Sequence, residues 1–252
     1  MIAAPRLDPF FRLAALDTID STNAEAARRA AAGAPSGTLV WALRQTAGRG
    51  RRGRAWSSPE GNLCFSLLLR PEVGAAAAAS VGFVAGLALS EAVDGLLPEG
   101  RRSELKWPND LLVGGRKLAG ILLEASAAGP GRLDHLVLGI GVNVASHPDG
   151  LPYPATSLAA EGAAADAAAT LAAFAGRFLP AWRAWERDGF AAVRAAWLAR
   201  ARGLGQPIVV RLENATLDGR FAALDEHGAL LLEAADGSRR TVTAGDLHFP
   251  GL

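Results

Sequence analysis

Four arginines fall within the seven residues Gly48-Arg49-Gly50-Arg51-Arg52-Gly53-Arg54, alternating with glycine. Glycine lets a backbone approach an oxyanion closely and turn its N–H groups toward it. Each guanidinium adds a planar fork for phosphate or carboxylate. The pairing suits a triphosphate or an acyl phosphate, and it also suits a nucleic-acid patch or a solvated loop. Trp56, two positions on, offers a flat face to an adenine ring or to a packed neighbour.

Of 26 basic residues only Lys106 and Lys117 are lysine. A compact ammonium and a five-donor fork do different work, so the two exceptions mark places where arginine does not serve. They bracket Lys106-Trp107-Pro108-Asn109-Asp110 and open Lys117-Leu118-Ala119-Gly120-Ile121-Leu122-Leu123-Glu124. An ammonium can sit between two anionic groups, and the Asp110 carboxylate can hold Mg²⁺ or orient an incoming amine. Gly120 and the apolar run beside Lys117 put that ammonium on a partly buried strand, where an unpaired charge is costly, so it should meet an anion. Gly139-Ile140-Gly141-Val142-Asn143 ends a buried strand, and its two glycines permit close approach of a ligand or another strand. Ser21-Thr22-Asn23 sets hydroxyls and an amide at a helix start. Four of the five asparagines, Asn23, Asn62, Asn109 and Asn143, lie in or beside these segments.

The elements that must position these groups read as an α+β layout with a mixed or antiparallel sheet, not a doubly wound dinucleotide domain. Strands are expected at Leu13–Ile19, Gly37–Arg44, Asn62–Arg70, Ser103–Trp107, Leu111–Val113, Lys117–Glu124 and Leu133–Val144. Helices are expected at Thr22–Ala32, with Thr22 and Glu25 in capping-box spacing and Gly33 closing it, and as one small-residue helix over Ala75–Leu97. Two more fill Asp166–Ala201, with Phe174, Phe178, Trp182, Trp185, Phe190 and Trp197 as packing aromatics. Turns are expected at Gly114-Gly115 and Gly129-Pro130-Gly131. Past Gly203-Leu204-Gly205 the pattern changes to short strands at Pro207–Leu212, Ala215–Leu224, Ala229–Glu233 and Arg239–Thr243, a small β-barrel. The division expected is therefore residues 1–203 and 204–252.

A chain of 252 residues with 50% hydrophobic and 20% charged residues and a net charge of +1 is neither disordered nor broadly basic. Its one cysteine, Cys64, excludes an internal disulfide or a cysteine-rich metal site and reads as a packed thiol. No signal peptide is legible, and the uncharged run Val73–Ser90 is too rich in alanine and glycine to favour a bilayer, so a cytoplasmic location without membrane attachment is expected.

Taken in order, Ser21-Thr22-Asn23, Gln45-Thr46-Ala47 leading into the arginine loop and Trp56, Gly61-Asn62-Leu63, Lys106 to Asp110, Lys117 to Glu124, Gly139 to Asn143 and Ala155-Thr156-Ser157-Leu158 resemble the biotin protein ligases. The resemblance implies a catalytic domain related to class II aminoacyl-tRNA synthetases and lipoate ligases, followed by an SH3-like barrel. It implies ATP-dependent ligation of biotin to a lysine of a biotin carboxyl carrier domain through biotinyl-5′-AMP, with ATP and Mg²⁺ as a substrate complex and no tightly bound prosthetic group. Ser21, Thr22, Asn23, Gln45, Arg49, Gly50, Arg51, Lys117, Gly120 and Gly139 are the implied biotin contacts. Arg51, Arg54, Trp56, Lys106, Asn109, Lys117 and Asn143 are the implied ATP contacts. Lys117, Arg51, Asp110 and Lys106 are the implied catalytic groups, with Asp110 either a magnesium ligand or the group that orients the acceptor amine. About twenty residues precede Ser21, too few for the winged helix-turn-helix of bifunctional members, so DNA repression is not expected. The rivals are a lipoate or octanoate ligase and a non-catalytic RNA-binding protein. Monomer and homodimer both remain open.

Overall fold

The structure is a computed structural model that describes residues 4–129 and 132–249. A seven-stranded sheet forms from Arg12–Ile19 (β1), Thr38–Gln45 (β2), Leu63–Leu69 (β3), Ser103–Lys106 (β4), Asp110–Val113 (β5), Arg116–Gly129 (β6) and Arg132–Val142 (β7), in the order β1-β2-β3-β7-β6-β5-β4. Only β1 and β2 run parallel, joined by helix Thr22–Ala31 (α1); every other pair is antiparallel.

The two faces of the sheet are covered unequally. α1 seats Ala26 and Ala30 on Val40, Leu68 and Val137, a small satellite core. Ala75–Ala78 (α2), Val81–Asp94 (α3), Ala167–Asp188 (α4) and Ala191–Leu198 (α5) follow in the chain. The large core on the opposite face includes Phe65, Leu138 and Ile140 of the sheet with Phe83 and Leu89 of α3 and the expected aromatics of α4 and α5. Because α1 is only ten residues long, it leaves the far part of its own face bare. The site lies there.

Several expected elements are corrected. The single helix over Ala75–Leu97 is broken between α2 and α3, where the Ser80 hydroxyl takes the Ala77 carbonyl at 2.6 Å and receives the Trp185 indole N–H at 2.7 Å. A side chain that competes for a helical carbonyl favours such a stop. Helix α1 is capped by Ser21, not Thr22: the Ala24 N–H donates to the Ser21 Oγ, while Glu25 turns outward to Arg28 and Arg29. Strand β6 runs on to Gly129, beyond the expected end at Glu124. Pro130 and Gly131 of the expected turn lie outside the described residues.

After α5 a separate five-stranded antiparallel sheet forms from Pro207–Arg211 (β8), Thr216–Leu224 (β9), Leu230–Glu233 (β10), Arg239–Val242 (β11) and Asp246–His248 (β12), in the order β11-β10-β9-β8-β12. Strand β12, absent from the expectation, pairs with β8. The two sheets share one continuous apolar core, and the Trp107 indole N–H crosses to the Gly228 carbonyl at 3.1 Å. Among the described residues no helix is long and apolar enough to cross a membrane.

Candidate functional site

Cross-strand register builds the floor of the site. One row of partners runs Lys106, Asp110, Gly120, Gly141, Cys64, Ala42 across β4, β5, β6, β7, β3 and β2. The next runs Leu122, Gly139, Ser66, Val40. Side chains alternate between faces, so along β7 Val137 packs beneath α1 while Gly139 and Gly141 follow on the same face with no side chain of their own. The glycines turn the uncovered face into a trench. A Cβ at Gly139 would overlap the Asn23 amide, and one at Gly141 would overlap the Trp56 ring. The cleft above encloses about 760 Å³, open solvent included.

At its closed end the α1 N-terminus supplies an amide-and-hydroxyl network. The Thr22 N–H and hydroxyl both donate to the Gln45 Oε1, at 2.8 and 3.0 Å, and the Gln45 Nε2 donates to Ser58. The Ser66 hydroxyl lies within 2.5 Å of the Asn23 Oδ1, and the Asn23 Nδ2 donates to Glu124 at 2.7 Å. Cys64 is buried beneath, its thiol pushed upward by desolvation. These buried groups are already paired, as burial demands, and their hydroxyls and amides match a polar ring with both donors and acceptors.

The other end is cationic. The Lys117 ammonium lies 2.6 Å from the Asp110 carboxylate and faces the rings of Trp56 and Tyr153 at 5.6 and 5.3 Å. Lys106 stands 4.0 Å from the same carboxylate, on the same sheet face but outside the cleft lining. Burial pushes the Lys106 ammonium below the ordinary lysine value, with Asp110 pulling the other way. The arginine loop arches over the cleft: Arg49 and Ala55 bridge its two limbs, Arg52 takes a left-handed turn at φ 55°, and Arg51 is largely desolvated, its Nη1 donating to the Asn109 Oδ1 at 3.3 Å. Arg49 faces Glu124, and Arg54 bonds Asp246 of β12.

The structure thus brings together Ser21, Thr22, Asn23, Gln45, Arg49, Gly50, Arg51, Arg54, Trp56, Asn109, Asp110, Lys117, Gly120 and Gly139 around one cleft. Asn143 is not with them. It is buried, its Nδ2 donates to the Thr156 carbonyl at 3.0 Å, and its backbone joins Leu118 and Leu158, so it ties strands together behind the wall. Asn62 is likewise structural, its Oδ1 accepting the N–H groups of Val144, Ala145 and Ser146. Sequence reasoning missed two groups that line the cleft, Tyr153 and Asp246, and one beside it, Glu124, which holds Asn23 and faces Arg49. Tyr153 had a signal, being the chain's single tyrosine. Asp246 had none, because it reaches the cleft only through the fold of the second sheet.

A trench on one sheet face that joins an amide-lined end to a cluster of cations is a small-molecule site with one end suited to an anion. Residues 15–143 match the biotin/lipoate A/B protein ligase family, and residues 203–248 match the biotin protein ligase C-terminal domain. The chain belongs to this family. It is 43% identical over 242 residues to the biotin–[acetyl-CoA-carboxylase] ligase of Paracoccus denitrificans, covering 92% of this chain and 98% of that protein. Identity to the enzyme of the same name from Mycobacterium tuberculosis is 35% over 232 residues, 90% of this chain and 85% of that protein. Among solved structures, a biotin protein ligase from Aquifex aeolicus in complex with biotin and ATP superposes with a TM-score of 0.78 at 30% identity, covering 94% of this chain and 97% of that one.

Proposed function

We propose that the chain activates biotin with ATP and transfers it to a lysine of a biotin carboxyl carrier domain. The observation that carries this reading is the trench itself, in which Lys117 stands where the amide-lined end and the arginine loop meet. The polar ring of biotin fits against Thr22, Asn23 and Gln45, its aliphatic chain runs along Leu122 past the Gly139 and Gly120 backbone, between Asn23 and the Trp56 ring, and its carboxylate reaches Lys117. ATP enters from the arginine loop. The biotin carboxylate oxygen then attacks the α-phosphorus, forming biotinyl-5′-AMP as the bond to pyrophosphate breaks. Two anions must meet, so fixed positive charge is the main requirement, and Lys117, Arg49, Arg51 and Arg54 supply it at a site where little reorganisation is needed. Trp56 lies over Gly120 and Gly141 and turns its ring toward the adenine. In the second step the carrier lysine, as a free amine, attacks the acyl carbon of the mixed anhydride. AMP leaves and the amine loses a proton.

The donor set does not fit a resident metal. Asp110 is already paired with Lys117 and faces Lys106, and among the described residues no group of three acidic, histidine or cysteine side chains stands ready to hold an ion. We therefore assign Asp110 the placement of the lysines, and magnesium travels on the ATP phosphates as part of the substrate. A cytoplasmic site of action accords with ATP as substrate.

ATP–pyrophosphate exchange by the purified chain tests the reading. Exchange should depend on biotin and be negligible with lipoate. Dependence on lipoate, or no exchange with either acid, would overturn it.

A further inference from the structure

Glu161, in the turn after residues 154–158, has a carboxylate with no exposed surface, and the reaction described above does not use it. A carboxylate withdrawn from water needs partners. Its Oε2 accepts from Arg101 at 2.9 Å, and its Oε1 accepts from Arg116 at 2.6 Å and from the Thr156 hydroxyl at 2.5 Å. Two of these three partners adjoin Lys117. Arg116 precedes it in the chain, and the Thr156 N–H donates to the Lys117 carbonyl at 2.9 Å. The Lys117 N–H in turn donates to the Pro154 carbonyl at 2.9 Å, so Lys117 and Ala155 form a parallel bridge on the side of β6 away from its partner Leu112. Tyr153, one residue before Pro154, faces the Lys117 ammonium. A single buried carboxylate thus fastens both the strand that carries Lys117 and the segment that walls it.

We infer that Glu161 is a positioning residue for adenylation, fixing Lys117 by clamping Arg116 to the 154–156 segment. The inference rests on the function proposed above. A charge at that depth with only a stabilising role needs no link to Lys117; the pair with Arg101 would satisfy such a role. The bond through Thr156 is the part that reaches the site. A displacement of about 1 Å in a catalytic group lowers turnover by up to about a hundredfold, which sets the scale of the effect.

Two variants separate the roles. Glu161→Gln keeps the shape and removes the charge, while Thr156→Val keeps both arginine pairs and removes only the tie. Biotin-dependent pyrophosphate exchange by the wild-type chain comes first; its absence would defeat the proposed function and leave the clamp to the second readout. With exchange established, both variants should lose about tenfold to a hundredfold in kcat, with KM for biotin and ATP changed less than about threefold. The second readout needs no turnover. Because the chain has only two lysines, ¹⁵N-lysine labelling gives two backbone amide signals, assigned with Lys106→Arg. The clamp variants should shift and broaden the Lys117 signal and leave that of Lys106 in place. A folded variant with wild-type kcat, or an unmoved Lys117 signal, would overturn the inference. Should Glu161→Gln fail to fold, Thr156→Val decides alone.

Discussion

Lys117 is located by Asp110 and two aromatic rings before any substrate arrives, and a point charge held in this way cannot be replaced by a fork. Lys117→Arg should bind biotin and ATP within a few-fold of wild type by calorimetry yet exchange pyrophosphate roughly a hundredfold more slowly, the usual cost of losing one transition-state contact. Wild-type exchange in that variant would remove Lys117 from the centre of the mechanism. Asp110 carries the reciprocal effect. It and Lys117 are 16% and 17% exposed, so Asp110→Ala leaves two ammoniums facing each other and should cost about 3 kcal/mol in denaturant unfolding. Lys106 is the site group whose titration should be visible. Its folded value lies below the ordinary lysine value because burial disfavours the charge, so the folded protein releases this proton before the unfolded chain would. Pyrophosphate exchange should therefore decline on the alkaline side earlier than an ordinary lysine dictates. Lys106→Arg, slower but charged throughout, should lack that limb. Scarcity pointed to both lysines in the sequence. It could not say that one lines the cleft and the other stands beside the same carboxylate, because that follows from the β4–β5 pairing of Lys106 with Asp110.

At the scale of elements, the trench exists because α1 stops short and because β6 and β7 place glycines on the face it leaves bare. Gly141→Ala would drive a methyl into the Trp56 ring, and Gly139→Ala one into the Asn23 amide. Gly141→Ala should keep the fold, since its methyl meets the partly exposed Trp56 ring, while Gly139→Ala displaces the buried, hydrogen-bonded Asn23 amide and should also lower the unfolding midpoint. Gly139→Ala should weaken biotin binding by tenfold or more, and Gly141→Ala should act mainly on ATP; calorimetry with each ligand separates the two. A reversed pattern would mean the ligands lie the other way round in the trench. The glycine pair was legible as permission for close approach, and the strands on either side were legible from their apolar runs. The row that aligns Gly120 with Gly141 was not, because register depends on bulges at Leu111/Leu112 and in the far half of β6 that leave no mark in composition. The break between α2 and α3 was hidden for a similar reason: alanine and glycine continue through it, and at the break stands the Ser80 hydroxyl on the Ala77 carbonyl, held there by the distant Trp185 indole.

The whole molecule joins the cleft to the second sheet at one carboxylate. Burial alone would raise Asp246, but the bond from Arg54 and the charges of Arg54, Arg52 and Arg51 outweigh it and hold it below the ordinary aspartate value. With a depressed folded value, this contribution is fully present above the ordinary carboxylate range and is lost as pH falls through the lowered value. Arg54 is 59% exposed and Asp246 25%, so solvent screens the pair, and exposed ion pairs are worth about 0.2–1 kcal/mol. A tether that weak orders the loop without committing it, and a triphosphate bringing several oxyanions can take Arg54 from the carboxylate. The second sheet thus acts as a rest for the arginine loop, while the Trp107 to Gly228 bond and the common core fix where that rest stands. Asp246→Asn should leave the unfolding midpoint within about 1 kcal/mol of wild type. Without ligands, trypsin should cut at Arg49 to Arg54 several-fold faster in the variant, and added salt should bring the wild type toward the same rate. With biotin and ATP bound, the two proteins should be protected equally, because phosphate then occupies the guanidinium groups in both. Equal cutting of the free proteins, or a difference that persists with ligands bound, would show that the loop does not rest on Asp246.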